Sequence, residues 1–306
     1  MGLMSILNKI LNGIVLAVAI VIAIIVIIHA QGFNDKVVLR LQAVASTAKA
    51  DAAKAAALKA DNTTLNTLVS SFAQPYGTKV GVVVTNLSDG ASANVNGSEE
   101  FVSASIYKLF VAYDIYKHID AGTISYNQVL QTPDDEATTN TVSGCLNLMI
   151  TISDNGCGEA LGALDGWPAL DALLKANGYS GTRLNNYTPD MSALTGDKMT
   201  NANDVALLLT RLYNGTLVSS ASTNAFLTLL KAQTINDRLP QGLPAGTVIA
   251  HKTGDLYGYL HDAGIIYGLK KNTVVVLLTG NWDEPQSEGI PLFKTLSTNV
   301  WSYMQN

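Results

Sequence analysis

The sequence predicts an α/β (α+β) chain: an antiparallel sheet flanked by helices, with an all-helical insertion, preceded by an N-terminal transmembrane helix. Three observations lead there. Runs of β-branched residues occur near residue 80 and again after residue 246, with little that looks like a strand between them. The stretch from about 126 to 214 reads as helices and loops. Residues 13–28, GIVLAVAIVIAIIVII, form an uncharged run of sixteen residues, close to the length that crosses a bilayer as a helix.

Residues 1–12 form a short tail, and 13–30 the expected anchor, apolar on every face as suits lipid. A cleaved secretory signal is the alternative, with Lys9 as its weak positive flank and Ala30 near a cleavage point. Either exports the rest of the chain. The expected location is the cell membrane, single-pass with the following globular part outside the cytoplasm, or secreted after cleavage. Residues 31–61 are alanine-rich, with Lys49, Lys54 and Lys59 among Asp51 and Asp61 and no strong apolar face, which predicts a helical spacer. A helix packed onto the following domain is the alternative.

The globular part spans 62–306. Asn62-Thr63-Thr64 offers helix caps before the amphipathic run LNTLVSSFAQ, which ends at Tyr76-Gly77. KVGVVVTNL and SANVNG, separated by Gly90, form a hairpin. A helix opens near Ser105 and stops at Ala121-Gly122. After the helical insertion, GTVIAHKTG, YLHDAGIIYGL and NTVVVLLTG supply three strands, and a closing helix runs toward Met304. Both ends of this part therefore complete one sheet.

With 306 residues, 48% of them hydrophobic, a large core can be buried. A net charge of −5 and a charged fraction of 14% give no basic field for nucleic acid. The spacing of Cys145 and Cys157 fits no zinc signature, and His29, His118, His251 and His261 show no paired-ligand spacing. No metal and no cofactor is expected, and the globular part is expected to be monomeric.

Three short motifs carry chemistry: Ser105-Ile106-Tyr107-Lys108, Ser153-Asp154-Asn155 and Lys252-Thr253-Gly254. A serine hydroxyl is a weak nucleophile that needs a base, and a lysine three residues later on a helix shares its face. At a helix start the serine also feels the positive end of the dipole, and its N–H can point to an oxyanion. Burial and a second cation, Lys252, would strip the charge from Lys108 and make it basic. A second S-x-x-K, Ser46-Thr47-Ala48-Lys49, falls in the spacer and is read as chance. The bland alternatives are that Asp154-Asn155 caps the helix starting near Gly156 and that Thr253-Gly254 is an ordinary strand end.

These motifs, within FVSASIYKLF, LMITISDNGC and HKTGDLYGYLHDAGIIYG, resemble those of the class A β-lactamase and penicillin-binding family over roughly 62–304. The resemblance implies a serine β-lactamase-like fold and an acyl-enzyme on Ser105, with Lys108 as its partner. It implies that Ser153 relays a proton to the leaving nitrogen and that Asn155 positions the substrate amide and the lysine. Lys252, Thr253 and Gly254 would form the edge that engages a substrate carboxylate, and the N–H groups of Ser105 and Asp255 the oxyanion hole. The substrate is expected to be a β-lactam. The alternatives are a D-alanyl-D-alanine carboxypeptidase or transpeptidase-like cell-wall enzyme acting on peptidoglycan peptides, and a penicillin-binding sensor that deacylates slowly.

The chain departs from the family in two places. In TRLNNYTPDMSALTGDKMT, Arg183 and Pro189 put Thr188 where the family has its deacylating glutamate, and Asp190 is the nearest acid. Asp255 adds an anion near the carboxylate subsite, where it repels β-lactams if it points into the cleft and not if it turns outward. Cys145 and Cys157 flank the second motif. In an exported domain a disulfide between them would brace it, the alternative being two small buried residues.

Overall fold

The computed structural model describes residues 14–27, 35–133, 139–186 and 196–306. It divides into two compact units, Met1–Thr63 and Thr64–Asn306. In the first, residues 14–27 are helical. Among the described residues no helix is long and apolar enough to cross a membrane. The transmembrane helix expected at 13–30 is therefore not found. Residues 1–13 and 28–34, which hold the expected tail and the ends of that span, lie outside the described residues.

Helix α1 (Asp35–Ala73) runs without a break through Asn62-Thr63-Thr64, where the sequence predicts a fresh start. The reason is local: Thr63 Oγ1 donates back to the Lys59 carbonyl at 2.9 Å instead of capping. Ser46 bonds back to Ala43 in the same way, and both Ser46 and Lys49 are exposed, so the second S-x-x-K lacks the burial that would lower a lysine's pKa. From Thr64 onward α1 buries Leu65, Val69, Phe72 and Ala73, at the i, i+4, i+7 spacing of one helix face.

In the second unit a five-stranded antiparallel sheet is made by strands from both ends of the chain. Strands β1 (Val80–Asn86) and β2 (Ser92–Val95) form the early hairpin. β7 (Ile249–Leu256), β8 (Tyr259–Tyr267) and β9 (Asn272–Thr279) form the late meander. The spatial order is β2-β1-β9-β8-β7, and Val83 opposite Val276 and Lys252 opposite Ala263 fix the register. On β9, Val274, Val276 and Leu278 join the core around helix α6 (Ala202–Tyr213), whose Val205, Leu208, Leu209 and Leu212 are fully buried. Val275 and Leu277 point the other way, as a period of two requires. The closing helix α9 (Ile290–Met304) packs along β9.

The order of elements leaves β7 as an edge strand. Its outer side lies against a 3₁₀ turn, Ala104–Ile106, that follows the short strand β3 (Phe101–Val102) and leads into α2 (Tyr107–Ala121). Helix α2 ends on Gly122 at φ 72°, where a left-handed residue closes the last turn. The insertion brings α3 (Val142–Thr151), α4 (Asn155–Asp165), α5 (Trp167–Ala176) and α6. It is not purely helical: β4 (Val129–Gln131) pairs with β5 (Thr139–Thr141), and β6 (Met199–Thr200) pairs with β3. Strands of two or three residues are too short for any alternating pattern to show in the sequence. Helix α7 (Ser220–Lys231) follows, and a short α8 (Pro285–Glu288) precedes α9.

Candidate active site

Three segments distant in sequence meet where α2 begins. Ser105 sits in the 3₁₀ turn, two residues before α2 itself, and is half-buried. Its neighbour Ala104 has φ 43°. A side chain in the left-handed region is strained by about 1–3 kcal/mol unless its surroundings hold it. Ser153, at the α3–α4 corner, has φ 63°, so two of the three motifs rest on backbone of this kind.

Lys108, one turn after Ser105, is fully buried. Its Nζ donates to Ser105 Oγ at 3.1 Å, to Asn155 Oδ1 at 2.7 Å and to the Ser153 carbonyl at 2.6 Å, with Ser153 Oγ at 3.4 Å. Burial pulls its pKa down to about 8, against the opposing pull of Asp154 and Glu159 and with help from Lys198. Lys252 is also fully buried, and its Nζ donates to Ser153 Oγ at 2.8 Å and to the Thr253 carbonyl at 2.8 Å. Burial, then the nearby Lys108, pushes Lys252 well below the ordinary lysine range. The Ser153 hydroxyl thus bridges two ammonium groups that resist their charge, which suits it to pass a proton on.

Local sequence explains this convergence. Asp154 Oδ1 accepts from the Cys157 N–H at 2.8 Å and caps α4, which frees Asn155 to turn inward. Capping and function therefore coexist in one motif. Gly158 is pressed against the lysine, since a Cβ there would meet Tyr107 Oη at 2.7 Å and Lys108 Cε at 2.9 Å. Gly254 lets β7 close on the 3₁₀ turn, where a Cβ would meet Ile106 Cγ1 at 3.2 Å and Ala104 Cβ at 3.3 Å. Cys145 on α3 and Cys157 on α4 are joined, with Cα atoms 4.8 Å apart, and brace the corner that presents Ser153.

Ser105, Asn155 and Asp255 are shared by two clefts. One, of about 280 Å³, adds Ser153, Thr253 and Arg238. The other, of about 240 Å³, adds Tyr107, Glu159 and Lys198. Asp255 does reach the cleft, but not as a free anion: its Oδ2 accepts from Arg238 Nη2 at 2.8 Å. Arg238 is buried, and its other terminal nitrogen, Nη1, donates to the carbonyls of Gly254 and His261 at 2.8 and 3.0 Å. In the second cleft Glu159 Oε1 accepts from Lys198 Nζ at 3.0 Å and from Tyr107 Oη at 3.1 Å. The Lys198 ammonium lies 4.2 Å from the Trp167 ring centre and 5.0 Å from that of Tyr107.

Arg238, Glu159 and Lys198 therefore line the clefts from beyond the motifs, and Tyr107 does so from within the first. Glu159 had a sequence signal, four residues after Asn155 on one helix face. Arg238 and Lys198 had none, because loops bring them in. The loop holding Thr188 and Asp190 is closed at its base by the Arg183 and Met199 backbones, paired at 2.9 and 2.8 Å. Thr188 and Asp190 themselves lie outside the described residues.

Two of the described histidines, His261 and His118, line neither cleft. His261 is fully buried, accepts the Thr279 N–H at Nδ1 and donates from Nε2 to the Val102 carbonyl at 2.7 Å. Burial lowers its pKa to about 4, so it is a neutral structural link. Among the described residues, the ligand atoms of Asp114, His118 and Asp165 come within 4.8 Å of one another. His118 Nε2 already faces both carboxylates, at 3.7 and 3.4 Å.

A serine held by a buried lysine, with a bridging hydroxyl and an edge strand alongside, is an arrangement suited to acyl transfer. β-Lactamase VEB-1 of Pseudomonas aeruginosa is 26% identical over 216 residues, covering 63% of this chain and 72% of that protein. The solved structure of PBP-A superposes with a TM-score of 0.71 at 27% identity, covering 79% of this chain and 97% of that one. An ancestral class A β-lactamase gives a TM-score of 0.68 at 26% identity, covering 78% and 99%. Because the model of the β-lactamase enzyme family also matches residues 62–304, the chain belongs to that family, as a serine hydrolase of β-lactams.

Proposed function

We propose that Ser105 is the residue acylated by the β-lactam and that Lys108 is the base that activates it. The observation that carries this is the 3.1 Å contact between Lys108 Nζ and Ser105 Oγ, made by a lysine whose pKa is pulled to about 8. As Ser105 Oγ attacks the lactam carbonyl, Lys108 takes its proton, and the N–H groups of Ser105 and Asp255 stabilise the oxyanion. Ser153, 2.8 Å from Lys252, passes a proton to the departing ring nitrogen. Asn155 holds the substrate amide, while Lys252, Thr253 and Gly254 form the edge that meets the carboxylate. We further propose that the domain works outside the cytoplasm, tethered through residues 13–30. The apolar run and the Cys145–Cys157 bond support this.

A fluorescent penicillin tests the assignment. Wild-type protein is expected to take up label, and Ser105→Ala none. Equal labelling of the two would remove Ser105 from the reaction. Recovery of the full chain in the membrane fraction, with the domain open to external protease, is the result expected for the tether.

A further inference from the structure

We propose that Glu159 is the general base that releases the acyl group from Ser105, a reading that rests on Ser105 being acylated as proposed above. Hydrolysis of an ester needs a base beside the acyl carbon to take a proton from water. Glu159 is one turn beyond Asn155 on α4, and both line the cleft that holds Ser105. That face of α4 is aimed at the reacting atoms: Asn155 Oδ1 is 2.7 Å from Lys108 Nζ, and Gly158 is packed on Lys108 Cε. The side chain of residue 159 leaves the helix beside this contact.

The carboxylate is both held and open. Lys198 and Tyr107 donate to Oε1 at 3.0 and 3.1 Å, while among the described residues Oε2 accepts no hydrogen bond. The side chain is 33% exposed, enough for water to reach it. The other acids are less suited. Asp255 is tied to Arg238, and Asp154 caps α4. Asp197, on the same cleft wall, is exposed and has no hydrogen-bond partner among the described residues to orient it.

In the step itself, Glu159 takes a proton from water as the water oxygen bonds to the acyl carbon. The tetrahedral intermediate then collapses, and the bond from carbon to Ser105 Oγ breaks. Oγ regains a proton from Lys108, 3.1 Å away, which recovers it from Glu159. The products are the ring-opened acid and free serine, with no other reactant consumed.

The test follows the acyl adduct of the full chain with benzylpenicillin by intact-mass spectrometry, separating its formation from its loss. In Glu159→Gln the adduct is expected still to form, faster near neutral pH because Glu159 no longer raises the Lys108 pKa, and to persist about 100-fold longer or more, as loss of a general base dictates. Hydroxylamine, which attacks without a base, is expected to restore release. Lys198→Met breaks the same ion pair but keeps the carboxylate, and its adduct is expected to last less than about tenfold longer. Release from Glu159→Gln at the wild-type rate, or equal slowing in Glu159→Gln and Lys198→Met, would overturn the proposal. So would normal release in Glu159→Gln with loss in Asp190→Asn. A wild-type protein that forms no adduct, like Ser105→Ala, fails at the earlier step and removes the basis for both readings.

Discussion

The acylation rate should follow the titration of Lys108. Burial brings this lysine from 10.5 to about 8. Its neutral fraction is then about one half at pH 8, about 9% at pH 7 and about 1% at pH 6. An ordinary lysine would be only about 0.03% neutral at pH 7, so burial raises the free amine roughly 300-fold. Acylation should therefore slow about 50-fold from pH 8 to pH 6 and level off above about pH 9. The charged groups that act on Lys108 are Asp154 and Glu159, which raise its value, and Lys198, which lowers it. Lys252 stands across the Ser153 hydroxyl. Pre-steady-state bursts with a chromogenic cephalosporin measure the rate at each pH. A flat profile between pH 6 and 8, or a rise that continues tenfold per unit to pH 10, would refute the role of burial. The same shift bears on stability. The folded state binds fewer protons than the unfolded chain between about pH 8 and 10.5, so stability rises with pH across that window, by about 3 kcal/mol from this group. Urea unfolding should show the rise in wild type, and Lys108→Met should lack this component.

Reducing the Cys145–Cys157 bond, which spans a sequence separation of 12, should cost about 3 kcal/mol. Thermal unfolding with and without reductant should register about 6–12 °C, and an unchanged Tm would deny the brace. Gly158→Ala should push Lys108 from Ser105 and slow acylation about tenfold or more, at a stability cost of about 1–3 kcal/mol. Burst kinetics at the wild-type rate would contradict the packing. Asp255→Ala should release Arg238 and lower KM for a carboxylate-bearing β-lactam by about tenfold, with steady-state kinetics as the readout. A raised KM would mean that Asp255 helps to hold substrate.

Much of this fold was legible because its elements obey clear periods. The β-branched runs of β1, β7, β8 and β9 and the amphipathic α6 and α9 are long enough to declare themselves. β3 to β6 are not, since strands of two or three residues are too short to leave an alternating pattern. Asn62-Thr63-Thr64 misled because a threonine hydroxyl that can cap a helix can equally bond back within one. The uncharged run at 13–28 suggested a span, and its described residues, 14–27, are helical, yet among the described residues no helix is long and apolar enough to cross a membrane. At the site, Ser105 and Lys108 could be paired from their spacing on a helix, whereas Ser153 and Lys252 were named through the resemblance of their motifs to a known family. That Asp154 caps while Asn155 turns inward needed coordinates. So did the Arg238 pairing with Asp255, because a contact between a loop and an edge strand has no sequence period.

The central claim is that Lys108 makes Ser105 an acylation nucleophile. Its most direct test is the mass of the protein after brief exposure to benzylpenicillin at pH 8, with peptide mapping of the adduct. One added penicilloyl group on Ser105, absent from Ser105→Ala and slowed about 100-fold or more in Lys108→Met, is the expected result. An adduct on another residue, or one that forms as fast without the Lys108 amine, would contradict it.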